Sequence, residues 1–303
     1  MEYDNDITLV TMFFDINRDN WELSNSVRKT STYLNAFYHF LDYPYNMVCF
    51  IDNRYYNEVI EKYNESKYKN KVFISIDKQW LTEHTLAWKQ VGVDEIIMKS
   101  IHYKLFMKKR IEVSYEISNK PIPPDVNIED YLFPENKYPE YVAITHSKID
   151  LLIHALENNH IKTPYTFWVD FGYFHSVYEN KKETFPSNTL DIHKFHKEKL
   201  NFIIRNKIKK NNYNPYRELI MAPDLFTGGF WGGKNDLLYK LQDLYHRCVN
   251  KLYNLNISDD EQHIYYTCYD ENPELFHLEH IVEEPWPKAL TYYEKSDIKK
   301  LKT

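Results

Sequence analysis

Phe167-Trp168-Val169-Asp170-Phe171-Gly172 is an apolar run that ends in a carboxylate. A strand-end aspartate of this kind falls where open α/β sheets place their ligand crevice. It can bridge Mg²⁺ or Mn²⁺ to a diphosphate, because such ions need only one or two protein oxygens when phosphate supplies others. The alternative, and for a lone aspartate after a strand the commoner outcome, is the cap of a turn or of the next helix. A second stretch with chemical potential is Thr227-Gly228-Gly229-Phe230-Trp231-Gly232-Gly233-Lys234, which together with Gly172 holds five of the six glycines. Two glycine doublets flanking two aromatics predict a sharply turning loop that presents rings and amides, a surface suited to a sugar or a phosphate. The competing reading is a tight turn before the next helix with Trp231 buried. The spacing is neither that of a P-loop nor that of a dinucleotide fingerprint after the first strand. Further on, Asp259-Asp260-Glu261-Gln262 predicts a helix start with Ser258 or Asp259 as N-cap. Phe276-His277-Leu278-Glu279-His280 predicts a strand with His277 and Glu279 on one face and His280 on the other.

The elements that must position these residues alternate along the chain. Ile7 to Phe14 reads as a buried strand ending at Asp15, Ser24 to Leu41 as a helix, and Met47 to Ile51 as a second strand. A helix through Val59 and Ile60 and a strand from Val72 to Ile76 continue the pattern, which predicts β-α-β units and a mainly parallel sheet. Five prolines between Asn119 and Pro139 predict an extended crossing segment. A helix from Tyr141 to Asn158 then precedes the Tyr165 to Asp170 strand, expected to be central. Helices are expected from Asn235 to Leu252 and from Asp259 to Tyr266, and no internal repeat is present.

Composition narrows the function classes. The 303 residues are 43% hydrophobic and 27% charged, which describes a folded chain that needs no disulfide or structural metal to form a core. Lys and Arg number 38 against 44 Asp and Glu, a net charge of -6 that argues against nucleic acid as a partner. Cys49, Cys248 and Cys268 are odd in number and lack C-x-x-C spacing, which points to a reducing compartment. The acidic start, Glu2-Tyr3-Asp4-Asn5-Asp6, is unlike a signal peptide, and no apolar run approaches the ~18 residues of a membrane span. The expectation is a cytoplasmic protein without a transmembrane segment.

The ordered set Val10-Thr11-Met12-Phe13-Phe14-Asp15, Ser147-Lys148, Trp168-Val169-Asp170-Phe171-Gly172-Tyr173, Gly228-Gly229-Phe230-Trp231-Gly232-Gly233 and Asp260-Glu261-Gln262 resembles the HtrL/YibB family, found in bacterial polysaccharide loci and some large viruses. The resemblance runs from about Thr8 to His280, and the family is similar to GT-A glycosyltransferases. It implies a single GT-A-like, Rossmann-like α/β domain over residues 1–303, with a mixed, mainly parallel sheet flanked by helices. Residues 1–170 would form the nucleotide-binding half and 171–303 the acceptor-binding half.

It also implies a nucleotide-sugar donor, of which a UDP-sugar is the expected class, and a glycan, lipid-linked or protein acceptor. Thr11 and Phe13 would border the base, with Arg28 and Lys148 near the pyrophosphate. Asp170 would stand in the Asp-x-Asp metal motif, where Gly172 replaces the second carboxylate. Mn²⁺ or Mg²⁺ would then rest on Asp170 and a late histidine, His277 or His280. Gly228, Gly229, Trp231, Gly232 and Gln262 would shape the sugar and acceptor pocket, with stacking from Phe230, Tyr173 and Trp286. Asp260 or Glu261 would serve as general base or steady a cationic transition state. The rival from another class is a carbohydrate- or nucleotide-binding protein of the same fold without turnover, which the missing carboxylate favours.

Overall fold

Ile7–Phe13 (β1) is buried along its whole length, as a strand covered on both faces must be. The computed structural model describes residues 6–21, 29–122, 134–173, 189–205, 225–281 and 285–295 of the 303. After β1 come α1 (Thr30–Leu41), β2 (Asn46–Asp52), α2 (Tyr56–Glu65) and β3 (Lys71–Ile76). Five helices follow: α3 (Lys78–His84), α4 (Leu86–Lys99), α5 (Ile101–Ile117), the short α6 (Pro134–Lys137) and α7 (Pro139–Glu157). The chain then adds β4 (Tyr165–Val169), β5 (Leu200–Ile204), β6 (Phe226–Lys234), α8 (Asn235–Asn254), α9 (Glu261–Glu271), β7 (Phe276–His280) and α10 (Pro285–Tyr292).

The seven strands form one sheet in the order β3-β2-β1-β4-β6-β5-β7, with β4 in the middle as expected. The β1, β2, β3 and β4 pairings are parallel, as is β5 with β7, while β6 runs antiparallel to both β4 and β5. This is the mixed, mainly parallel sheet flanked by helices that the sequence calls for. Alternate side chains of each strand feed two cores. Val10, Val48, Phe50 and Trp168 pack with α4, α7 and α8 on one face. Leu9, Met47, Cys49 and Phe167 pack with α1 and α10 on the other. The buried stripe of α1, Leu34, Phe37 and Leu41, has helical spacing and meets the second core.

The structure corrects three sequence expectations. Pro134 and Pro139 open helices α6 and α7 rather than lying in an extended crossing, because the first turn of a helix needs no proline N–H. Residues 78–117, given no elements from the sequence, carry α3, α4 and α5. Their caps were legible: Asp77 accepts from the Trp80 N–H, Thr85 from that of Trp88 and Ser100 from that of Tyr103. Exposed Ile96, Ile101 and Leu105 had blurred the apolar period there.

The third correction concerns the glycine-rich stretch, which is a buried internal strand and not a loop. Between the Phe202↔Trp231 and Ile204↔Phe226 pairs, two steps along β5 answer to five along β6, so β6 bulges across the segment that holds Gly228 and Gly229. Gly232 answers to packing: a Cβ there would lie 2.3 Å from the Thr166 carbonyl oxygen.

The topology selects a ligand edge. From β1 the chain builds outward through β2 and β3, then returns to place β4 on the other flank of β1. That reversal opens a crevice beyond the carboxyl ends of β1 and β4. No helix among the described residues is long and apolar enough to cross a membrane.

Gly232→Ala is expected to lower the unfolding free energy by about 3 kcal/mol, because its Cβ would also meet the Phe167 Cα at 2.5 Å, and strand backbone cannot yield. Gly92→Ala, in α4 with nothing within 4 Å of the new Cβ, should raise it by about 0.5–1 kcal/mol. Urea unfolding of both variants beside the parent decides; effects of equal sign would contradict this packing account.

Candidate functional site

The crevice encloses about 480 Å³ between the end of β1 (Met12 to Ile16, then Arg18), the end of β4 (Asp170 to Gly172), α7 and the first residues of α9. Its floor is organised by one ammonium. Lys148 lies in the middle of α7, a helix buried almost continuously from Val142 to Ala155, and is itself 4% exposed. The Lys148 Nζ donates to Glu261 Oε1 at 2.6 Å and to the Gly228 carbonyl at 3.0 Å, and pairs with Asp170 Oδ1 at 2.9 Å. Three acceptors match the three hydrogens of an ammonium. The Trp168 indole, whose ring lies 5.8 Å from this Nζ, donates to the same Asp170 oxygen at 2.6 Å.

Glycine at 228 is what lets these groups meet, since a Cβ there would stand 2.1 Å from Glu261 Oε1. Burial works against the charge on Lys148, but the Asp170 and Glu261 carboxylates outweigh it and hold the lysine above its ordinary value. One ammonium serves two carboxylates. Burial, reinforced by the charges of Asp260 and Asp170, therefore raises Glu261 above the usual carboxylate range against the pull of Lys148.

A second buried cluster fixes the start of α9. Asp260, and not Ser258 or Asp259 as the sequence suggested, is the N-cap, its carboxylate accepting from the Gln262 and His263 N–H groups. His263 Nδ1 lies 2.9 Å from Asp260 Oδ1 and 3.1 Å from Asp259 Oδ1. Arg110 of α5 pairs with Asp259 Oδ2 at 2.6 Å and reaches His263 Nε2 at 3.1 Å. His146 of α7 meets the Asp259 carbonyl at 2.8 Å, and Ser258 donates to Asp94 of α4. Burial disfavours charge on the His263 ring, yet Asp259, with help from Asp260, raises it to about 9. Burial likewise raises Asp259, but Arg110 and His263 bring it down to about 2.

Aromatic rings line the β1 side. Phe171 stacks between Phe13 (4.7 Å) and Phe37 (4.0 Å). The Arg18 guanidinium lies 4.9 Å from the Trp21 ring and 5.4 Å from that of Tyr141, and its Nη1 donates to the Tyr33 hydroxyl at 2.7 Å. Arg18, Tyr33 and Tyr141 line the crevice, and the sequence assigns none of them a place in the site. The available signal was Asn17, whose positive φ of 59° turns the chain directly after the strand-end aspartate Asp15.

Of the residues named from the sequence, Phe13, Lys148, Asp170, Gly172, Glu261 and Gln262 line the crevice. Thr11 is fully buried beneath it, on the strand face shared with Leu9 and Phe13, and its hydroxyl has no partner among the described residues. Gly228 offers its carbonyl to Lys148, and Gly229 offers its own to the Asp170 N–H. Trp231 is not a stacking platform. It is fully buried, stacked on Phe202 at 5.4 Å and packed against Tyr265, because β6 is internal to the sheet. Phe230 and Tyr173 are buried in the opposite core, and Gly232 packs on β4. Asp260 does not line the crevice; capping and His263 occupy its carboxylate. Arg28 and the Trp286 side chain lie outside the described residues.

The implied metal site does not assemble. His277 stands on β7, three strands from β4, 3.4 Å from Glu279 Oε2, and does not line the crevice. His280 contacts the Arg205 carbonyl at 2.7 Å. Asp170 Oδ1 already faces an ammonium and an indole N–H, and Gly172 brings no second carboxylate. This donor set does not fit a divalent ion at Asp170. Asp259, Asp260 and His263 do bring ligand-type atoms within 4.8 Å of one another, but Arg110 supplies their compensating charge.

The buried cluster predicts a stability maximum. Asp259, held at about 2, contributes stability that is present above its ordinary 3.8 and is lost as pH falls through 2. His263, held at about 9, contributes stability present below 6.5 that is lost as pH rises through 9. Chemical unfolding of the parent and of His263→Gln across this range should show the parent's advantage largest between about pH 4 and 6.5 and declining by a few kcal/mol toward about pH 9. A pH-independent difference on the alkaline side would contradict the assignment.

Comparison with known proteins places this geometry among relatives. Protein HtrL of Escherichia coli strain K12 is 23% identical over 282 residues, covering 92% of this chain and 89% of its own. The crystal structure of mouse xyloside xylosyltransferase 1 in its apo form aligns with a TM-score of 0.41 at 12% identity, over 90% of this chain and 84% of that one. The profile of a family described as bacterial proteins of unknown function, HtrL_YibB, matches residues 5–293, and the chain belongs to that family.

Proposed function

We propose that the protein is a glycosyltransferase that moves a sugar from a nucleotide-diphosphate donor, a UDP-sugar, to a hydroxyl of a glycan, lipid-linked or protein acceptor. The observation that carries this reading is the crevice at the β1/β4 reversal. It brings together the Phe13, Tyr33, Tyr141 and Phe171 rings, the Arg18 guanidinium and the buried carboxyl of Glu261, a lining that suits a base, a diphosphate and a sugar. The base would lie against Phe13 and Tyr33, the phosphates toward Arg18, and the sugar over Asp170 and Gly172.

Glu261 then takes the catalytic role that the sequence divided between Asp260 and Glu261. Its carboxyl lines the crevice while Lys148 fixes one oxygen, so the second oxygen can meet the acceptor. In the transfer, an acceptor oxygen forms a bond to the anomeric carbon as the bond from that carbon to the diphosphate oxygen breaks. The hydroxyl proton passes to the Glu261 carboxylate, and the electron pair leaves with the diphosphate. A raised carboxyl suits a base that must take a hydroxyl proton, because it narrows the gap in proton affinity. Gln262, beside it at the start of α9 and also lining the crevice, would hydrogen-bond an acceptor hydroxyl.

Thermal shift with UDP, GDP and CMP tests the nucleotide assignment, since a ligand of the native state raises the melting temperature. UDP is expected to give the largest shift, and silence from all three would remove the donor site. For turnover, Glu261→Gln keeps an oxygen for Lys148 while removing the base. It should slow sugar release from a UDP-sugar by about 10²–10⁴-fold while leaving the UDP shift in place. Full activity in that variant would contradict the role of Glu261, and UDP binding without turnover in the parent would favour a non-catalytic binding protein.

A further inference from the structure

We propose that the crevice binds the diphosphate of its nucleotide without a divalent cation, with the Lys148 ammonium standing where an ion would meet Asp170 and Arg18 presenting the charge that faces the phosphates. This rests on the nucleotide reading given above. A divalent ion at a strand-end carboxylate needs oxygen ligands at about 2.0–2.6 Å and a site free of competing positive charge. Lys148 Nζ lies 2.9 Å from Asp170 Oδ1, and its burial at 4% exposure leaves it no route to solvent as an alternative partner. The ammonium is also tied to Glu261 Oε1 and the Gly228 carbonyl. An ion on Asp170 would therefore sit against a fixed like charge.

The other crevice carboxylates are engaged in the same manner. Glu261 is held by that same ammonium, and Asp15 accepts from the Tyr55 hydroxyl at 2.9 Å and the Asn17 N–H at 2.8 Å, with the Arg54 guanidinium 3.7 Å away. Among the described residues, then, each carboxylate lining the crevice already faces a donor or a cation. Arg18 brings a guanidinium to the same crevice. Its guanidinium plane is set by the Trp21 and Tyr141 rings and by its bond to Tyr33. A planar fork oriented in advance suits bidentate contact with a phosphate. Gly172, two residues after Asp170, also lines the crevice and brings no side chain into it.

The test is calorimetric titration of UDP into the full chain, once in EDTA and once with Mn²⁺, for the parent, Arg18→Gln and Asp170→Asn. Asp170→Asn keeps an oxygen for Lys148 and Trp168, so the fold is retained. The expected result is a parent Kd that agrees within about twofold between the two conditions, and a loss of about tenfold or more in Arg18→Gln in both. Asp170→Asn should bind UDP without gaining or losing any response to Mn²⁺. Tightening of about tenfold or more by Mn²⁺ in the parent, abolished in Asp170→Asn, would overturn the inference while leaving the nucleotide reading intact. Unchanged binding in Arg18→Gln would also overturn it. Absence of UDP binding under either condition would overturn the nucleotide reading and this inference together.

Discussion

A lysine buried in the middle of a helix dictates what must surround it. An uncompensated ammonium in a protein interior costs several kcal/mol, so every element that packs near Lys148 has to bring an acceptor. Three do. The end of β4 brings Asp170, the bulge of β6 brings the Gly228 carbonyl, and the start of α9 brings Glu261. These acceptors lie 22, 80 and 113 residues along the chain from Lys148, which makes the ammonium a junction between parts of the sequence with no local reason to meet. The requirement propagates outward. Gly228 must lack a side chain to leave room for Glu261, and β6 must bulge before it can rejoin β5 in register.

The second cluster serves the first. Glu261 is the first residue of α9, so its position depends on how the helix begins, and that start is fixed from three sides. Arg110 grips Asp259, His146 grips the Asp259 carbonyl, and Ser258 is tied to Asp94. Burial raises Asp94 and lowers His146, so the two outer members of this network tend toward neutrality while Asp259 keeps its charge beside Arg110. Buried ion pairs are weak sources of stability, because desolvation offsets much of their attraction, and apolar replacements often fold as well. Their use here is geometric: they place the Glu261 carboxyl at the crevice, which an apolar contact surface would not fix with the same directionality.

What the sequence disclosed follows from how each signal is encoded. Burial on both faces makes β1, β2 and β4 continuous apolar runs, and the carboxylate at the end of β4 reads directly as a crevice residue. Lys148 and Glu261 were legible through family resemblance, but their mutual contact was not, since the spacing of 113 residues carries no periodic trace. The glycine doublets misled because a loop and a crowded strand both call for glycine; only the neighbours distinguish conformational freedom from lack of space. His277 misled for another reason. Its strand and face were readable from alternation, but the lateral order of strands was not. With neighbouring strands about 4.8 Å apart, three intervals put it on the order of 14 Å from the β4 position it was meant to serve. Arg18 escaped because it sits in a single 3-10 turn, too short to have a pattern.

The order of the strands explains why this edge needs fixed positive charge from the fold itself. At the reversal beside β1 the sheet presents carboxylates from two neighbouring strand ends, Asp15 beyond β1 and Asp170 beyond β4, both within one crevice. Carboxylates lining one crevice need a counter-charge before any anionic ligand can approach. A bound ion could supply it, but only after folding and only if available. Side chains supply it as part of the fold itself: Lys148, carried by α7 that packs against both β1 and β4, pairs with Asp170, and Arg54 stands 3.7 Å from Asp15. Both strand-end carboxylates then face a cation in the free protein, and under the reading proposed above the charge that meets the ligand comes from a third residue, Arg18, packed beside the Trp21 and Tyr141 rings. Separating the charge that stabilises the edge from the charge that meets the ligand leaves each free to be placed for its own purpose.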